Sequence, residues 1–140
     1  MRTDFARLTL PARVESVRPF CEFARRVAAR AEFTAEQIDQ LELVIEEILV
    51  NIARHGYVES GAGEAELACA VESARRLRVV VSDQGRPFNP LASKAPDLNQ
   101  SLAERQAGGL GIFLVKSLAE ELDYERDGER NVLKFTFAIG

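Results

Sequence analysis

Residues 34–56 read Thr-Ala-Glu-Gln-Ile-Asp-Gln-Leu-Glu-Leu-Val-Ile-Glu-Glu-Ile-Leu-Val-Asn-Ile-Ala-Arg-His-Gly. This stretch predicts one long amphipathic helix of about 20 residues. Thr34 followed three residues later by Gln37 is a capping-box pattern, and Gly56 is a natural helix terminator. The apolar residues recur at steps of three and four, which gathers them on one side that faces a core. They are Ile38, Leu41, Ile45, Ile48 and Ile52.

A second, polar row runs along the same helix at the edge of the apolar side. Glu47, Asn51 and His55 step by four, so a carboxylate, an amide and an imidazole stand where the core meets solvent. This row is either a functional surface or a solvated helix face. Glu and Asn four residues apart are common on solvated faces, and a histidine before a glycine favours the negative end of the helix dipole.

The flanking segments predict further helices and strands. Apolar periodicity indicates a first helix over residues 14–31, in which Pro19 is tolerated only in the first turn, and a third helix over 110–121. Arginines crowd residues 1–30 and acids crowd 31–50, which predicts a basic helix beside an acidic one. Residues 89–107 form a long polar loop, which in a compact domain is usually functional or mobile. Alternating apolar residues predict three strands, over 64–71, 77–82 and 133–139.

Composition excludes several classes of protein. A length of 140 residues with 46% hydrophobic content fits a single domain over residues 1–140. One His and two Cys cannot supply a structural zinc site made of four His or Cys ligands, and a net charge of −4 argues against a broad nucleic-acid surface. No apolar run has the length of a signal peptide or a membrane span. We therefore expect a cytoplasmic protein with no nucleic-acid or membrane partner, in which Cys21 and Cys69 are reduced, buried thiols.

Two further motifs lie next to the ends of predicted elements, one after a strand and one ahead of a helix. Asp83-Gln-Gly85-Arg-Pro-Phe88 directly follows the second strand. It is either a plain turn capped by the aspartate, or a ligand site in which Asp83 accepts a hydrogen bond from an amine while Gly85 admits a flat ring. Gly108-Gly-Leu-Gly111 ends the long loop ahead of a helix, and it is either a hinge or a phosphate site built from backbone N–H groups. Neither a dinucleotide fingerprint nor a P-loop is present.

Three segments in order resemble the N, G1 and G2 boxes of the histidine-kinase-like (GHKL) ATPases. They are Glu47-Ile-Leu-Val-Asn51-Ile-Ala-Arg-His55-Gly-Tyr57, Asp83-Gln-Gly-Arg-Pro-Phe88 and Gly108-Gly-Leu-Gly-Ile112. More narrowly, they are similar to the anti-sigma-factor serine/threonine kinases of bacterial partner switching. The resemblance covers nearly the whole chain. It implies an α/β (α+β) two-layer sandwich with a mixed, mostly antiparallel sheet packed on helices, the Bergerat fold, and an ATP lid at about residues 91–107.

The resemblance also implies a role for individual residues. Glu47 would be the general base, and Asn51 would hold a Mg²⁺ ion that bridges the ATP phosphates. Asp83 would bond the adenine amine, with Gly85 beside the base. The other implied nucleotide-binding residues are His55, Phe88, Arg105 near the γ-phosphate, Gly108, Gly109, Leu110 and Gly111 around the phosphates, and Thr136 facing the adenine. The family often carries a Gly-Thr pair near the position of Thr136, and this chain has Asn131-Val132 there instead.

Departures from the wider superfamily narrow the implied function. Sensor histidine kinases usually carry a second glycine where this chain has Pro87, and they need a phospho-accepting histidine on a separate helical domain. The resemblance therefore implies an ATP- and Mg²⁺-dependent kinase that phosphorylates an anti-sigma-factor antagonist protein on serine or threonine. Sequestration of a sigma factor and a homodimer are further expectations from the family. The alternatives are a module whose ATP or ADP state gates partner binding without phosphate transfer, and an interaction protein that binds no ATP.

Overall fold

A five-stranded sheet forms the first layer of the described part of the protein. A computed structural model describes residues 4–56, 63–87, 89 and 115–138. The strand order is β1-β2-β3-β5-β4, and every neighbouring pair in this described part is antiparallel. The strands are β1 (Ala6–Pro11), β2 (Glu64–Ser73), β3 (Arg76–Asp83), β4 (Ala119–Asp127) and β5 (Arg130–Ala138).

In the described part of the chain, helices α1 and α2 form the second layer, in agreement with the predicted α/β sandwich. A 3₁₀ turn at Val14–Ser16 leads into α1 (Val17–Ala28), and Pro19 lies in the first turn of α1 as predicted. The long helix α2 covers Ala35–Asn51 and continues as a π-helical stretch over Ile52–Gly56. Among the described residues, no helix has both the length and the apolar character needed to cross a membrane.

Local chemistry fixes the start of α2 and its position beside α1. The hydroxyl of Thr34 accepts the backbone N–H of Gln37 at 3.1 Å, and the Gln37 side chain accepts the backbone N–H of Thr34 at 2.9 Å. The predicted capping box is therefore formed. Arg25 of α1 donates to Asp39 at 2.8 Å and to Glu42 at 2.7 Å on α2, so the basic helix does lie beside the acidic one.

The core lies between the helices and one face of the sheet. Alternate residues of β2, β3 and β5 face α1 and α2, because successive side chains of a strand point to opposite faces. The strand residues in this core are Ala65, Leu67, Cys69, Leu77, Val79, Val81, Leu133, Phe135 and Phe137. Cys21 and Cys69 are both buried free thiols, as predicted, and burial raises the pKa of each to about 12.

The predicted third helix extends too far at its carboxyl end. Residues 115–118 are helical, but β4 begins at Ala119, so the prediction is wrong for residues 119–121. These residues belong to a strand paired with β5, with a bulge between Glu120 and Asp123 that places Glu121 at a φ of 51°. Backbone pairing with β5 outweighs the helix preference of an Ala-Glu-Glu-Leu sequence. β1 and β4 were not among the predicted strands.

Candidate functional site

The end of β3 carries the first candidate group. Asp83 is the last residue of β3 and is only 3% exposed. Strand alternation places it on the same face as Val81, which packs in the core beneath the helices. Its Oδ1 accepts the backbone N–H of Gly85, itself buried, at 2.8 Å. The turn expected from the Asp-x-Gly pattern is formed, and the carboxylate keeps a second oxygen as an acceptor.

The hairpin of β4 and β5 holds this turn from the side. Asn131 lies opposite Asp83 in the β3–β5 register, and its Nδ2 donates to Asp83 Oδ1 at 3.1 Å. The Tyr124 hydroxyl donates to Asn131 Oδ1. Arg126 Nη1 donates to the carbonyl of Gly85 at 2.7 Å. Three side chains of the hairpin therefore fix both the carboxylate and the backbone that follows it.

The carboxyl-terminal half of α2 carries a second pair of candidate groups. Glu47 is half-buried, and Asn51, the last residue of α2, is 8% exposed. Asn51 Nδ2 donates to the backbone carbonyl of Glu47 at 2.9 Å, which leaves the amide oxygen on the other side of the group. Glu47 Oε1 is buried and has no hydrogen-bond partner among the described residues. These groups stand on the helical layer that packs against the face of the sheet carrying Asp83.

The environment of Glu47 makes its carboxylate a stronger base. Burial raises the pKa of Glu47, and the charge of Glu46 raises it further, against the opposing effects of Arg54 and the Asn51 side chain. A raised pKa increases the driving force for accepting a proton, which is the property that a general base needs. A buried carboxylate oxygen without a partner costs folding free energy, and such groups cluster at functional sites.

The predicted polar row on α2 is described for Glu47 and Asn51. His55 lies in the π-helical stretch Ile52–Gly56, and its side chain is outside the description, so its place in the row remains a prediction. The predicted lid at about 91–107 also lies outside the described residues, as do Phe88, Arg105, Gly108, Gly109, Leu110 and Gly111.

The structure does not bring Thr136 beside Asp83. Thr136 pairs with Arg78 in the β3–β5 register and points to the face of the sheet away from the helices. Its hydroxyl donates to Glu121 at 3.1 Å. On β5 it is Asn131 that lies opposite Asp83 and contacts its carboxylate. The alternation of apolar residues along β5 was the signal for this, because it places odd-numbered residues toward the helices.

Comparison with known proteins gives the family. Residues 10–137 match the family described as the histidine kinase-like ATPase domain. The chain belongs to this family. Membership confirms the resemblance drawn from the three motifs and, at the level of the family, supports ATP use and a kinase role.

Two curated relatives of this histidine kinase-like ATPase domain are serine-protein kinases named RsbW. The protein from Bacillus subtilis is 29% identical over 124 residues, which cover 85% of this chain and 76% of that protein. The protein from Staphylococcus epidermidis is 28% identical over 130 residues, which cover 89% and 82%.

A solved structure of similar fold contains the RsbU and RsbW domains of a Mycobacterium tuberculosis protein. It superposes with a TM-score of 0.66 at 18% identity. The match covers 97% of this chain and 32% of that one, so this chain spans about a third of that structure. The predicted Bergerat fold is therefore confirmed.

Proposed function

We propose that this protein is an ATP- and Mg²⁺-dependent protein kinase that phosphorylates a serine or threonine of an anti-sigma-factor antagonist. The observation that carries the proposal is Glu47 Oε1, a buried carboxylate oxygen without a partner among the described residues, one helical turn before Asn51. The RsbW relatives are named serine-protein kinases, which supports a hydroxyl as the phosphate acceptor.

Glu47 acts as the general base in the proposed transfer. The acceptor oxygen forms a bond to the γ-phosphorus as the bond from that phosphorus to the β–γ bridging oxygen breaks. The bridging electron pair leaves with ADP, and the hydroxyl proton passes to Glu47. A carboxylate with a raised pKa suits this step, since it holds the proton more tightly than an exposed glutamate does.

Asn51 is the proposed protein ligand of Mg²⁺. Its amide nitrogen is held by the backbone carbonyl of Glu47, so the group has a fixed orientation with its oxygen turned away from that bond. The described residues contain no group of three or more His, Cys, Asp or Glu able to hold a metal. A single amide oxygen fits an ion that takes its other ligands from phosphates and water. When bound, Mg²⁺ neutralises charge on the transferring phosphates.

Asp83 and Gly85 form the proposed base-binding end of the site. Asp83 accepts the adenine amine through the oxygen that Gly85 and Asn131 do not use. The lid over about 91–107, the phosphate contacts of 108–111, and the contributions of His55, Phe88 and Arg105 remain predictions. So do the sigma factor as a second partner, the homodimer and the cytoplasmic location.

Phosphate transfer from radiolabelled ATP tests the proposal. With Mg²⁺ and the cognate anti-sigma-factor antagonist, we expect label on a serine or threonine of the antagonist. Glu47→Gln is expected to lower the transfer rate about 100-fold or more, because general bases contribute at least that much, while ATP binding is retained. Glu36→Gln, an exposed acid at the start of the same helix, is the matched control and should transfer at the wild-type rate.

Absence of transfer by the wild-type protein would overturn the kinase proposal. If partner affinity then differs between ATP and ADP and Glu47→Gln leaves this difference intact, the protein is a nucleotide-gated binding module instead. If no nucleotide binds, it is an interaction protein.

A further inference from the structure

The amide of Asn131 connects β5 to the proposed base-binding turn. We infer that Asn131 is a positioning residue that orients Asp83, so that the site selects a purine with a 6-amino group over a 6-oxo purine. The inference rests on the proposed function, because it concerns the base that Asp83 receives.

The contacts of Asn131 allow one orientation of its amide. Nδ2 donates to Asp83 Oδ1 at 3.1 Å and to the carbonyl of Arg86 at 2.9 Å, while Oδ1 accepts the hydroxyl of Tyr124. A flipped amide would place its oxygen against two acceptors, which is unfavourable. Asn131 is 5% exposed and Asp83 is 3% exposed, so these bonds form away from bulk water, where an unmade hydrogen bond costs most.

The fixed amide in turn fixes the carboxylate of Asp83. Oδ1 of Asp83 receives two N–H donors, one from Gly85 at 2.8 Å and one from Asn131. These two donors set the rotation of the carboxylate, and neither of them bonds its other oxygen, Oδ2. A 6-amino purine offers an N–H to such an acceptor. A 6-oxo purine would place a carbonyl oxygen against it, and a buried acceptor facing an acceptor is strongly rejected.

The side chain of Arg126 holds the backbone of the turn independently of Asn131. Arg126 donates to the carbonyl of Gly85 at 2.7 Å and also to the carbonyl of Gly128 at 3.1 Å. Loss of the Asn131 amide therefore leaves the backbone of the turn attached to the hairpin. What changes is the bond to the Arg86 carbonyl, which is lost, and the Asp83 carboxylate, which becomes freer to rotate. We expect the freer carboxylate to weaken base selection more than it weakens nucleotide binding in general.

Calorimetric titration with ATP and with inosine triphosphate, each with Mg²⁺, tests the inference. The readout is the ratio of the two Kd values, which a general loss of structure does not change. In the wild-type protein we expect ATP to bind about 100-fold more tightly or better. Asn131→Ala is expected to weaken ATP about tenfold and inosine triphosphate much less, so the ratio falls about tenfold.

Two further variants keep the test decisive. Tyr124→Phe removes only the hydroxyl that orients the Asn131 amide, and the ratio should fall by about threefold, a smaller change because the Asn131 amide is still present. Lys134→Ala, an exposed residue of β5 whose ammonium pairs with Glu125 at 3.3 Å, is the control and should keep the wild-type ratio.

The outcomes separate the inference from the function on which it rests. Equal weakening of both nucleotides in Asn131→Ala, or no change in either, would overturn the inference alone, provided that the wild-type protein binds ATP and Asp83→Asn weakens that binding. If Asn131→Ala does not fold, an unchanged ratio in Tyr124→Phe overturns the inference. If the wild-type protein binds no ATP, the proposed function fails and the inference fails with it.

Discussion

The buried oxygen Oε1 of Glu47, which has no hydrogen-bond partner among the described residues, predicts that removing the charge of this side chain makes the free protein more stable. Glu47 Oε1 is buried without a partner among the described residues, and burial is the main reason for the raised pKa of this group. Glu47→Gln keeps the shape of the side chain and deletes the charge. The substitution should therefore stabilise the fold while it removes the proposed base.

The size of the gain follows from the cost of an unsatisfied buried group. That cost is about 1–3 kcal/mol. The carboxylate of Glu47 is only half-buried and solvent screens part of its charge, and glutamine still buries a polar atom, so we expect a gain of about 1 kcal/mol at pH 7. For a chain of 140 residues this raises Tm by about 3 °C.

The gain should depend on pH in one direction. The pKa of Glu47 in the folded protein is raised above its ordinary value of 4.5. Between these two pKa values the folded state binds more protons than the unfolded state, so wild-type stability falls as pH rises. The advantage of Glu47→Gln is therefore smallest below pH 4.5, grows as pH rises through the folded pKa, and is constant above it.

Urea unfolding followed by far-UV circular dichroism from pH 4 to pH 8 measures this difference. Glu36→Gln is the matched control, and it should be neutral or slightly destabilising, since an acid in the first turn of a helix is favourable. A Glu47→Gln variant that is no more stable than wild type at pH 7, or whose advantage is the same at every pH, would refute the reasoning.

Three further predictions concern the scaffold. Thr34→Ala removes the hydroxyl of the capping box and should cost about 1 kcal/mol in urea unfolding, while Thr34→Ser should cost little. Phe137→Ala leaves a cavity beside Phe33, whose ring centroid lies 5.3 Å away, and should cost about 3–5 kcal/mol; a loss below 1 kcal/mol would contradict the described core. Cys21 and Cys69, with pKa values raised to about 12, should resist iodoacetamide at pH 8 in the folded protein and react only after unfolding, as mass spectrometry would show.

Local sequence was sufficient to predict the features that depend on only a few neighbouring residues. The capping residues of α2 and the turn after β3 are short-range features, and Thr34 and Asp83 form the hydrogen bonds that their patterns predict. The alternation of apolar residues over 133–139 likewise predicted a strand, and β5 covers Arg130–Ala138.

Tertiary pairing was needed where local preference points elsewhere. β4 consists largely of acids with few apolar residues, so its sequence carries no strand signal, and only its pairing with β5 makes it a strand. The hydrogen bonds that hold Asp83 and the turn after it depend on that pairing, because Tyr124 and Arg126 belong to β4. The role of Asn131 could not be derived without the register that places it opposite Asp83.

Calorimetric titration of ATP with Mg²⁺ into the wild-type protein and Asp83→Asn tests the nucleotide site most directly. We predict one site per chain in the wild-type protein. In Asp83→Asn we predict a loss of affinity of about tenfold or more, because the buried acceptor for the base amine becomes a weaker, uncharged one. Absence of ATP binding by the folded wild-type protein, or equal affinity in the two proteins, would contradict the assignment of Asp83 as the adenine acceptor.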